Sequence, residues 1–298
     1  MHCSAAPAVL PPAGPATSPL RLALTRAEQL EFGDGTPYPR AYRERYVDVL
    51  GLYGMRPETA GGPQQGRNSF TDMALAALGR LGPAERQADL VIIAHATPDA
   101  EPGWAACTLS ERLAQAPLAF AVSDQGSAAP FTALRVADAY VRTGAHRRCL
   151  LLLLDQKTVA RPAPGAVPLE DSAVALIIDA AGDGRAESGA LSLWQCAGLG
   201  PAEVGQAVRD VLPRLLPAAG PGQTAVVHGP GLDGWAALLP PGSRRARAGL
   251  PCTGLWAEFA ALARAGGPRS RVLLADYDPV LRYLCLCAVG SAQPHEEA

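Results

Sequence analysis

Ser127 and His228 are the residues whose types and positions could support nucleophilic chemistry in this sequence. Ser127 follows an apolar segment and a short turn, and it precedes an amphipathic stretch that predicts a helix. A serine hydroxyl is a weak nucleophile until a base takes its proton, and His228, which ends the apolar run TAVVH, could supply that base. Each residue also has an ordinary structural alternative, a helix cap or turn residue for Ser127 and a packed strand-end residue for His228.

The other reactive side chains give little support to lysine, disulfide or metal chemistry. Lys157 is the only lysine, and we expect it to be a surface group because it directly follows an apolar run. Seven cysteines form an odd set without a CxxC pair, which argues against a disulfide framework and against a zinc site. We therefore expect reduced thiols, no metal and a cytoplasmic location. The cysteines are residues 3, 107, 149, 196, 252, 285 and 287.

Composition predicts a globular protein with a large core. Of the 298 residues, 48% are hydrophobic and 18% are charged, which is too apolar a balance for disorder. The 26 basic and 28 acidic side chains leave a net charge of −2, so we expect no nucleic-acid partner. The first twenty residues lack the features of a secretory signal, and no apolar run approaches the roughly 20 residues that cross a bilayer, so we expect no membrane partner.

Short apolar runs alternate with amphipathic stretches along the chain, which predicts layers of helices on sheets. The predicted strands are almost continuously apolar, as expected of strands that are covered on both faces. They are Leu20–Leu24, Asp89–His95, Leu118–Ser123, Arg148–Leu154, Ala173–Asp179, Thr224–His228, Val272–Ala275 and Tyr283–Val289. The predicted helices are Ser69–Arg80, Phe131–Thr143, Ala202–Leu216 and Leu255–Ala265.

The same strand and helix pattern occurs twice, which predicts two similar halves. The Gly- and Asp-rich stretch Ala180–Gly189 is the best candidate for the boundary between them. We therefore expect a flexible leader over residues 1–18, one half over 19–188 and a second half over 189–298. The first half would carry Ser127 and the second would carry His228.

Two long segments resemble the ketoacyl synthase III branch of the thiolase superfamily. ADLVIIAHATPDAEPG (Ala88–Gly103) is similar to a family strand that ends in a TTTPD-like turn. SAAPFTALRVADAYVRTG is similar to the family's CAGFxxALxVADxYVxSG helix, and it places Ser127 where the family has its nucleophilic cysteine. The resemblance implies an α/β fold of five αβαβα layers and a homodimer that pairs through the strand at Ala119–Ser123.

Further segments match in the family's order, so that the resemblance covers about residues 70–290. LEDSAVALIID corresponds to a GDGAGAAVL-like strand, and TAVVHGPG places His228 at the family histidine. GLPCTGLWAEFAAL resembles the segment that contains the family asparagine, but Cys252 occupies that position. Residues 276–279, Asp-Tyr-Asp-Pro, stand in place of the family's glycine-rich turn.

These departures argue against decarboxylative condensation. That reaction needs a thiolate that carries the acyl group, and it needs histidine and asparagine donors that stabilise an enolate. Aspartate and proline are also poor substitutes for a turn that presents backbone N–H groups, since aspartate adds negative charge and proline has no N–H. Ser127 and His228 suit transfer of an acyl group to a heteroatom instead. We expect an acyltransferase of polyketide-type or antibiotic biosynthesis.

Two other functions stay open at this stage. One is a silent partner subunit that resembles chain-length factors, and the other is a thioesterase-like hydrolase that uses Ser127. The GxSxG elbow of the α/β hydrolases is absent, because Gln125 and Ala129 flank the serine at the glycine positions. His95 is expected to be a turn or packing residue, and Cys252 a small apolar group.

The resemblance also implies the substrates and partners. The acyl donor would be a coenzyme A thioester or a phosphopantetheine thioester on an acyl carrier protein, with no permanently bound cofactor. The arginines in PGSRRARAG, at positions 244, 245 and 247, could steer an acidic carrier, although a solvated loop is the simpler interpretation. The short connection over Ala180–Gly200 predicts a shallow or open substrate pocket.

Overall fold

The computed structural model describes most of the chain between residues 18 and 290. The described ranges are 18–37, 66–99, 104–158, 168–181, 189–216, 224–265 and 271–290, with a few single positions between 40 and 54. Apart from Ser18, the expected leader over residues 1–18 lies outside these ranges. The expected boundary near residue 188 also lies outside them, because residues 182–188 are not described.

In the described part of the chain, ten strands form one continuous sheet. They are β1 (Ser18–Glu31), β2 (Leu90–His95), β3 (Leu118–Val122), β4 (Arg148–Asp155), β5 (Ser172–Ala180), β6 (Ala190–Cys196), β7 (Thr224–His228), β8 (Arg244–Arg245), β9 (Arg271–Asp278) and β10 (Tyr283–Gly290). Their spatial order is β3-β2-β4-β5-β1-β6-β10-β9-β7-β8. Each five-strand half consists of three parallel strands followed by two strands added in antiparallel fashion. The halves join where β1 pairs with β6.

The helices lie between and outside the two halves of the sheet. The α-helices described are α1 (Phe70–Arg80), α2 (Ala105–Arg112), α3 (Ala129–Arg142), α4 (Pro201–Leu215) and α5 (Gly254–Arg264). Two 3₁₀ helices cover Gly126–Ala128 and Pro230–Leu238. A capping box at Ser69 and Asp72 starts α1, where the sequence predicts the helix start.

Three apolar clusters define five layers. The largest cluster joins α3 and α5 to the inner faces of both sheet halves. A second cluster packs α1 and α2 on the outer face of the first half, and a third packs α4 and the Pro230–Leu238 helix on the outer face of the second half. The order of layers is therefore helix, sheet, helix, sheet, helix. Apolar side chains on both faces explain why the strands are almost continuously apolar in sequence.

Most predicted strands and helices agree with the structure, but a few elements are longer than predicted or are not predicted at all. Strand β1 is longer than the predicted Leu20–Leu24, because its polar second half is held by pairing with β5. Strand β6 and helix α2 are not predicted, and β6 lies within the presumed connection Ala180–Gly200. Two arginines of the predicted loop at PGSRRARAG form the edge strand β8, which pairs with β7. These differences arise from long-range pairing, which local periodicity does not encode.

Candidate active site

Ser127 lies in the tight turn that connects β3 to α3. The turn is a short 3₁₀ helix, and Gly126 has a φ of 50°. A Cβ atom on Gly126 would overlap the carboxyl group of Asp278, so this glycine allows the turn to approach β9 closely. The residue that precedes α3 is Ala128, and no side chain caps that helix. Ser127 is therefore not the cap of α3, but it does lie in a turn, which is the other structural alternative weighed from the sequence.

Two carboxylates from the end of β9 face Ser127. The Ser127 side chain lies beside the carboxyl group of Asp276 and lowers its pKa, and both residues line one cavity. Its backbone N–H donates to Oδ2 of Asp278, with a distance of 3.3 Å between N and O. Asp276 and Asp278 therefore contact the serine directly, from positions about 150 residues further along the chain. From the sequence, the segment that contains both aspartates is interpreted only as a poor substitute for a glycine-rich turn that presents backbone N–H groups.

Asp276 is a buried acid with several donors around it. Its side chain is only 6% exposed, and Oδ1 accepts a hydrogen bond of 2.8 Å from the backbone N–H of Tyr277. The backbone N–H of Gly231 and the Ser127 side chain interact with the carboxyl group and lower its pKa. Burial raises the pKa of Asp276 to about 7, and these hydrogen bonds oppose part of that rise. At neutral pH, both the acid and the carboxylate are therefore populated.

Asp278 organises the turn from β9 to β10. Its Oδ1 accepts hydrogen bonds from the backbone N–H groups of Val280, at 3.0 Å, and of Leu281, at 2.9 Å. Its other oxygen contacts the backbone of Ser127. The residues that replace the expected glycine-rich turn therefore present carboxylates to Ser127, and Asp278 holds the backbone N–H groups of that turn.

His228 ends β7 and is buried, but its ring has other partners. Nδ1 lies 3.2 Å from the carbonyl oxygen of Gly229 and 4.0 Å from Oδ1 of Asp233. Within the described ranges, no hydrogen bond connects the His228 ring with the Ser127 hydroxyl. The expectation that these two side chains lie within about 5 Å of each other stays a prediction.

The register of β7 and β9 places His228 and Asp276 on opposite faces of the sheet. His228 is paired with Ala275, and Ala275 belongs to the outer apolar cluster, whereas Leu274 belongs to the inner one. Successive side chains of a strand point to opposite faces. Asp276 therefore points to the inner side, where Ser127 lies, and His228 points to the outer side with Asp233.

Cys252, which the family resemblance places at the position of an asparagine, lies close to the Ser127 turn. Its Sγ is 3.7 Å from the carbonyl oxygen of Gly126. Burial and the nearby carboxylates of Asp155 and Asp278 raise the pKa of the Cys252 thiol well above its ordinary value. The thiol therefore stays protonated, so Cys252 is a packing residue here and has no amide with which to stabilise an enolate.

Asp155, which the sequence does not single out, anchors the start of α5. It ends β4 and is buried, and its Oδ2 accepts hydrogen bonds from the backbone N–H of Thr253 at 2.8 Å and from the Thr253 hydroxyl at 2.7 Å. The backbone N–H of Cys252 donates to both carboxyl oxygens. Burial raises the pKa of Asp155 to about 6. Asp155 therefore fixes the loop that precedes α5 against the first half of the molecule.

The remaining sequence candidates have structural partners. His95 stacks near Phe70, with 4.7 Å between ring centroids, and its Nδ1 lies 2.7 Å from the carbonyl oxygen of Thr97. Burial lowers the pKa of His95, which fits a packing residue. The Lys157 ammonium is 2.8 Å from a carboxylate oxygen of Asp34, in an ion pair at the surface.

A cavity of about 300 Å³ opens beside Ser127. This volume is at the small end of the range for ligand pockets. The lining is mainly apolar and includes Asp276, Asp278 and Arg247 as its charged residues. The lining residues are Ser127, Gly229, Pro230, Gly231, Ala246, Arg247, Gly249, Leu250, Pro251, Leu255, Asp276, Tyr277, Asp278, Pro279 and Val280.

The arginine cluster is less basic than its sequence suggests. Arg245 makes an ion pair with Asp233, with 2.7 Å between Nη2 and Oδ2, and Arg247 makes ion pairs with Glu170 and Glu31. Both side chains are about half exposed, so these pairs are screened by water. Their charges are nevertheless balanced locally, which favours a mainly structural role for this segment.

The described residues contain neither a membrane-spanning helix nor a cluster of metal ligands. No helix in the described ranges is long and apolar enough to cross a membrane. The same part of the chain contains no group of three or more His, Cys, Asp or Glu side chains arranged to hold a metal ion. The thiols described there are free, and Cys107 alone among them is exposed.

Comparison with solved structures shows the fold. The 3-oxoacyl-(acyl carrier protein) synthase III of Pseudomonas aeruginosa PAO1 aligns with a TM-score of 0.61 at 17% identity, over 91% of this chain and 98% of that one. ChlB3, an acyltransferase, aligns with a TM-score of 0.61 at 17% identity, over 92% and 98% of the two chains. AbyA1, a tetronic acid condensing enzyme, aligns with a TM-score of 0.60 at 17% identity, over 90% and 99%.

The similarity in structure comes with low sequence identity. No protein-family profile matches this chain, and no curated protein matches it. The fold prediction is nevertheless confirmed: the protein has the thiolase-like αβαβα architecture of ketoacyl synthase III. Proteins that share this fold include condensing enzymes and an acyltransferase, so the chemistry has to be argued from the site itself.

Proposed function

We propose that this protein is a biosynthetic acyltransferase that carries an acyl group on Ser127. The single observation that supports this best is the environment of the serine. Its hydroxyl is not used to cap α3, it lines a small cavity, and it lies beside a buried acid whose pKa is about 7. A hydroxyl beside a proton acceptor, next to space for a substrate, suits formation and breakdown of an acyl ester.

Transfer fits this site better than condensation. Condensation of the ketoacyl synthase type needs donors that stabilise an enolate. The groups beside Ser127 are instead the carboxylates of Asp276 and Asp278 and the protonated thiol of Cys252. Two carboxylates beside Ser127 would also repel the free carboxylate of a malonyl extender. An acyl ester of serine, in contrast, is competent to acylate a thiol, an alcohol or an amine.

The proposed donor is a thioester, either acyl coenzyme A or an acyl group on the phosphopantetheine arm of a carrier protein. The proposal needs no permanently bound cofactor. It includes a role in natural-product assembly of the polyketide type, and a cytoplasmic homodimer as the working form. Because Arg245 and Arg247 are already paired with carboxylates, Arg244 is the member of the cluster that is best placed to attract an acidic carrier.

His228 is the general base of the sequence interpretation, and that role stays a prediction. Acyl transfer through Ser127 does not depend on which group accepts the proton. The proposed function and the identity of the base can therefore be tested separately.

Intact-mass spectrometry after incubation with a panel of acyl thioesters tests the proposed function. We expect the wild-type protein to gain the mass of one acyl group and Ser127→Ala to gain none. Ser110→Ala is the matched control, because Ser110 donates to the carbonyl oxygen of Pro117 in another part of the fold. Acylation of Ser127→Ala to the wild-type level would contradict the proposal.

The same measurement separates the alternatives. A silent partner subunit is favoured by the carboxylates that stand where family donors would be, and it predicts no mass gain with any thioester of the panel. A thioesterase-like hydrolase predicts transient acylation and release of free acid at the same rate with and without an acceptor. Transfer predicts that thiol, alcohol or amine acceptors accelerate loss of the acyl group and become acylated.

A further inference from the structure

Asp276 lies beside Ser127 on the wall of the cavity, where a base that accepts the proton of the serine hydroxyl has to lie. We propose that the carboxylate of Asp276 accepts the proton of the Ser127 hydroxyl during acylation, so that this site operates with a serine and carboxylate pair. The inference rests on the proposed function, because it concerns the reaction of Ser127. It differs from the sequence interpretation, in which His228 takes that proton.

Direct contact supports Asp276 as the base. A general base must be within reach of the proton that it removes, and the Asp276 carboxyl group lies beside Ser127 on the wall of the same cavity, where the serine side chain lowers its pKa. The ring of His228 instead has its Nδ1 beside the carbonyl oxygen of Gly229. It also lies on the opposite face of the sheet from Asp276, by the register of β7 with β9.

The loop after β7 is built to admit this carboxyl group. A Cβ atom on Gly229 would overlap all three terminal atoms of the Asp276 side chain, and a Cβ atom on Gly231 would overlap the carbonyl of Tyr277. The φ of Gly229 is −75°, which any residue adopts, so close approach and not backbone strain requires glycine there. The N–H groups of Gly231 and Tyr277 then orient the carboxyl group. The acid is therefore held in position, as catalytic acids and bases usually are.

The protonation state of Asp276 suits proton transfer near neutral pH. Burial raises its pKa to about 7, and a base works best when its pKa is close to the working pH. The neighbouring Asp278 on β9 raises this pKa, and Cys285, which pairs with Asp276 on β10, stays protonated because burial raises the thiol pKa. On the cavity wall, Arg247 is the positively charged residue.

The proposed reaction balances in protons and bonds. As the Ser127 oxygen bonds to the thioester carbonyl carbon, its proton moves to the Asp276 carboxylate. The carbon–sulfur bond then breaks, and the leaving thiolate takes that proton, which leaves an acyl ester on Ser127 and a free thiol. In the second half, Asp276 takes a proton from the acceptor heteroatom as it attacks the ester, and returns it to the Ser127 oxygen.

Rates of Ser127 acylation, measured by quenched-flow mass spectrometry from pH 5 to 9, test this inference. In the wild type the rate should rise with pH through about 7, because the base form of Asp276 increases as the acid loses its proton. Asp276→Asn should slow acylation by about 10²–10⁴-fold and remove the rise. His228→Ala should keep the wild-type profile. Asp210→Asn, which removes a surface carboxyl group from α4, is the control.

The same two variants would also reveal His228 as the base. If Asp276→Asn keeps both the rate and the pH profile while His228→Ala loses them, His228 is the base and the inference is wrong. In either case acylation at Ser127 would still support the proposed function, whereas wild-type acylation in Ser127→Ala would overturn that function alone.

A second variant tests the inference without touching the carboxyl group. Gly229→Ala should displace Asp276 sterically and slow acylation by at least 10-fold. Gly234→Ala is its matched control, because a Cβ atom on Gly234 meets no atom within 4 Å and Gly234 lies in the same 3₁₀ segment. Equal acylation rates in the two variants would overturn the inference, provided that both melt cooperatively.

Discussion

At the scale of single residues, the site differs from a condensing enzyme in the groups that surround the nucleophile. Ser127 provides a hydroxyl, Cys252 a protonated thiol, and Asp276 and Asp278 two carboxyl groups. A hydroxyl is far less acidic than a thiol, so its reaction depends on a nearby base, and a carboxyl group whose pKa is about 7 is one. A base for Ser127 does not replace the amide that condensation needs, because Cys252 has no amide to donate.

Changing the nucleophile alone should therefore not restore condensation. We expect Ser127→Cys to be acylated at least as fast as the wild type, because a thiolate is the better nucleophile. It should form no β-keto product from a malonyl thioester, because Cys252 cannot replace the family asparagine. Product analysis by mass spectrometry is the measurement, with Ser110→Cys as control. A β-keto product from Ser127→Cys would show that the asparagine is dispensable here.

At the scale of elements, α5 and the cavity depend on one buried carboxylate. Asp155 at the end of β4 accepts the backbone N–H groups of Cys252 and Thr253 and the hydroxyl of Thr253. No side chain caps α5 itself. The carboxylate therefore fixes the start of the helix whose preceding loop lines the cavity. This connects strand β4 of the first half with helix α5 of the second.

Removing this anchor should destabilise the whole fold. Asp155→Ala leaves several buried donors without an acceptor, at a cost of about 1–3 kcal/mol for each donor left unsatisfied. We expect the free energy of unfolding to fall by about 3 kcal/mol in urea denaturation. Asp210→Ala, an exposed carboxylate that accepts from Gln206, should change it by less than about 0.5 kcal/mol. Equal midpoints for the two variants would show that α5 does not need Asp155.

At the scale of the whole molecule, β3 leaves one edge of the sheet open. Within the described part of the chain, β3 pairs only with β2, and both Leu118 and Ala121 are exposed. An unpaired strand edge with apolar residues is a surface that proteins normally cover. A two-fold pairing of β3 with its copy, as the family resemblance implies, would cover it.

A charge on this edge should dissociate the proposed dimer. We expect the wild type to sediment as a dimer at micromolar concentration and Ala121→Glu to sediment as a monomer, because the two-fold would bring two like charges together. Ala202→Glu, on the exposed first turn of α4, should leave the dimer intact. A monomeric wild-type protein would contradict the prediction, and a dimeric Ala121→Glu would place the interface elsewhere.

The sequence by itself determined most of the strands and helices, their order and the position of Ser127 in the turn before α3. The apolar runs predict most strands to within one or two residues, because burial on both faces leaves few polar positions in them. The spacing of apolar residues predicts α1, α3, α4 and α5 in the same way. Ser127 is identified by its place in a motif of about 18 residues, which is local information.

Only the tertiary structure decided what surrounds Ser127. Asp276 and Asp278 are about 150 residues away in sequence, and their contact with Ser127 depends on how the two halves pack. The register of β7 with β9 decides that Asp276 faces inward and His228 outward, and a shift of one residue would exchange them. Burial, which sets the pKa of Asp276, is likewise a property of the packed molecule. A local pattern encodes which face is apolar, but the partners across a fold are fixed by long-range pairing.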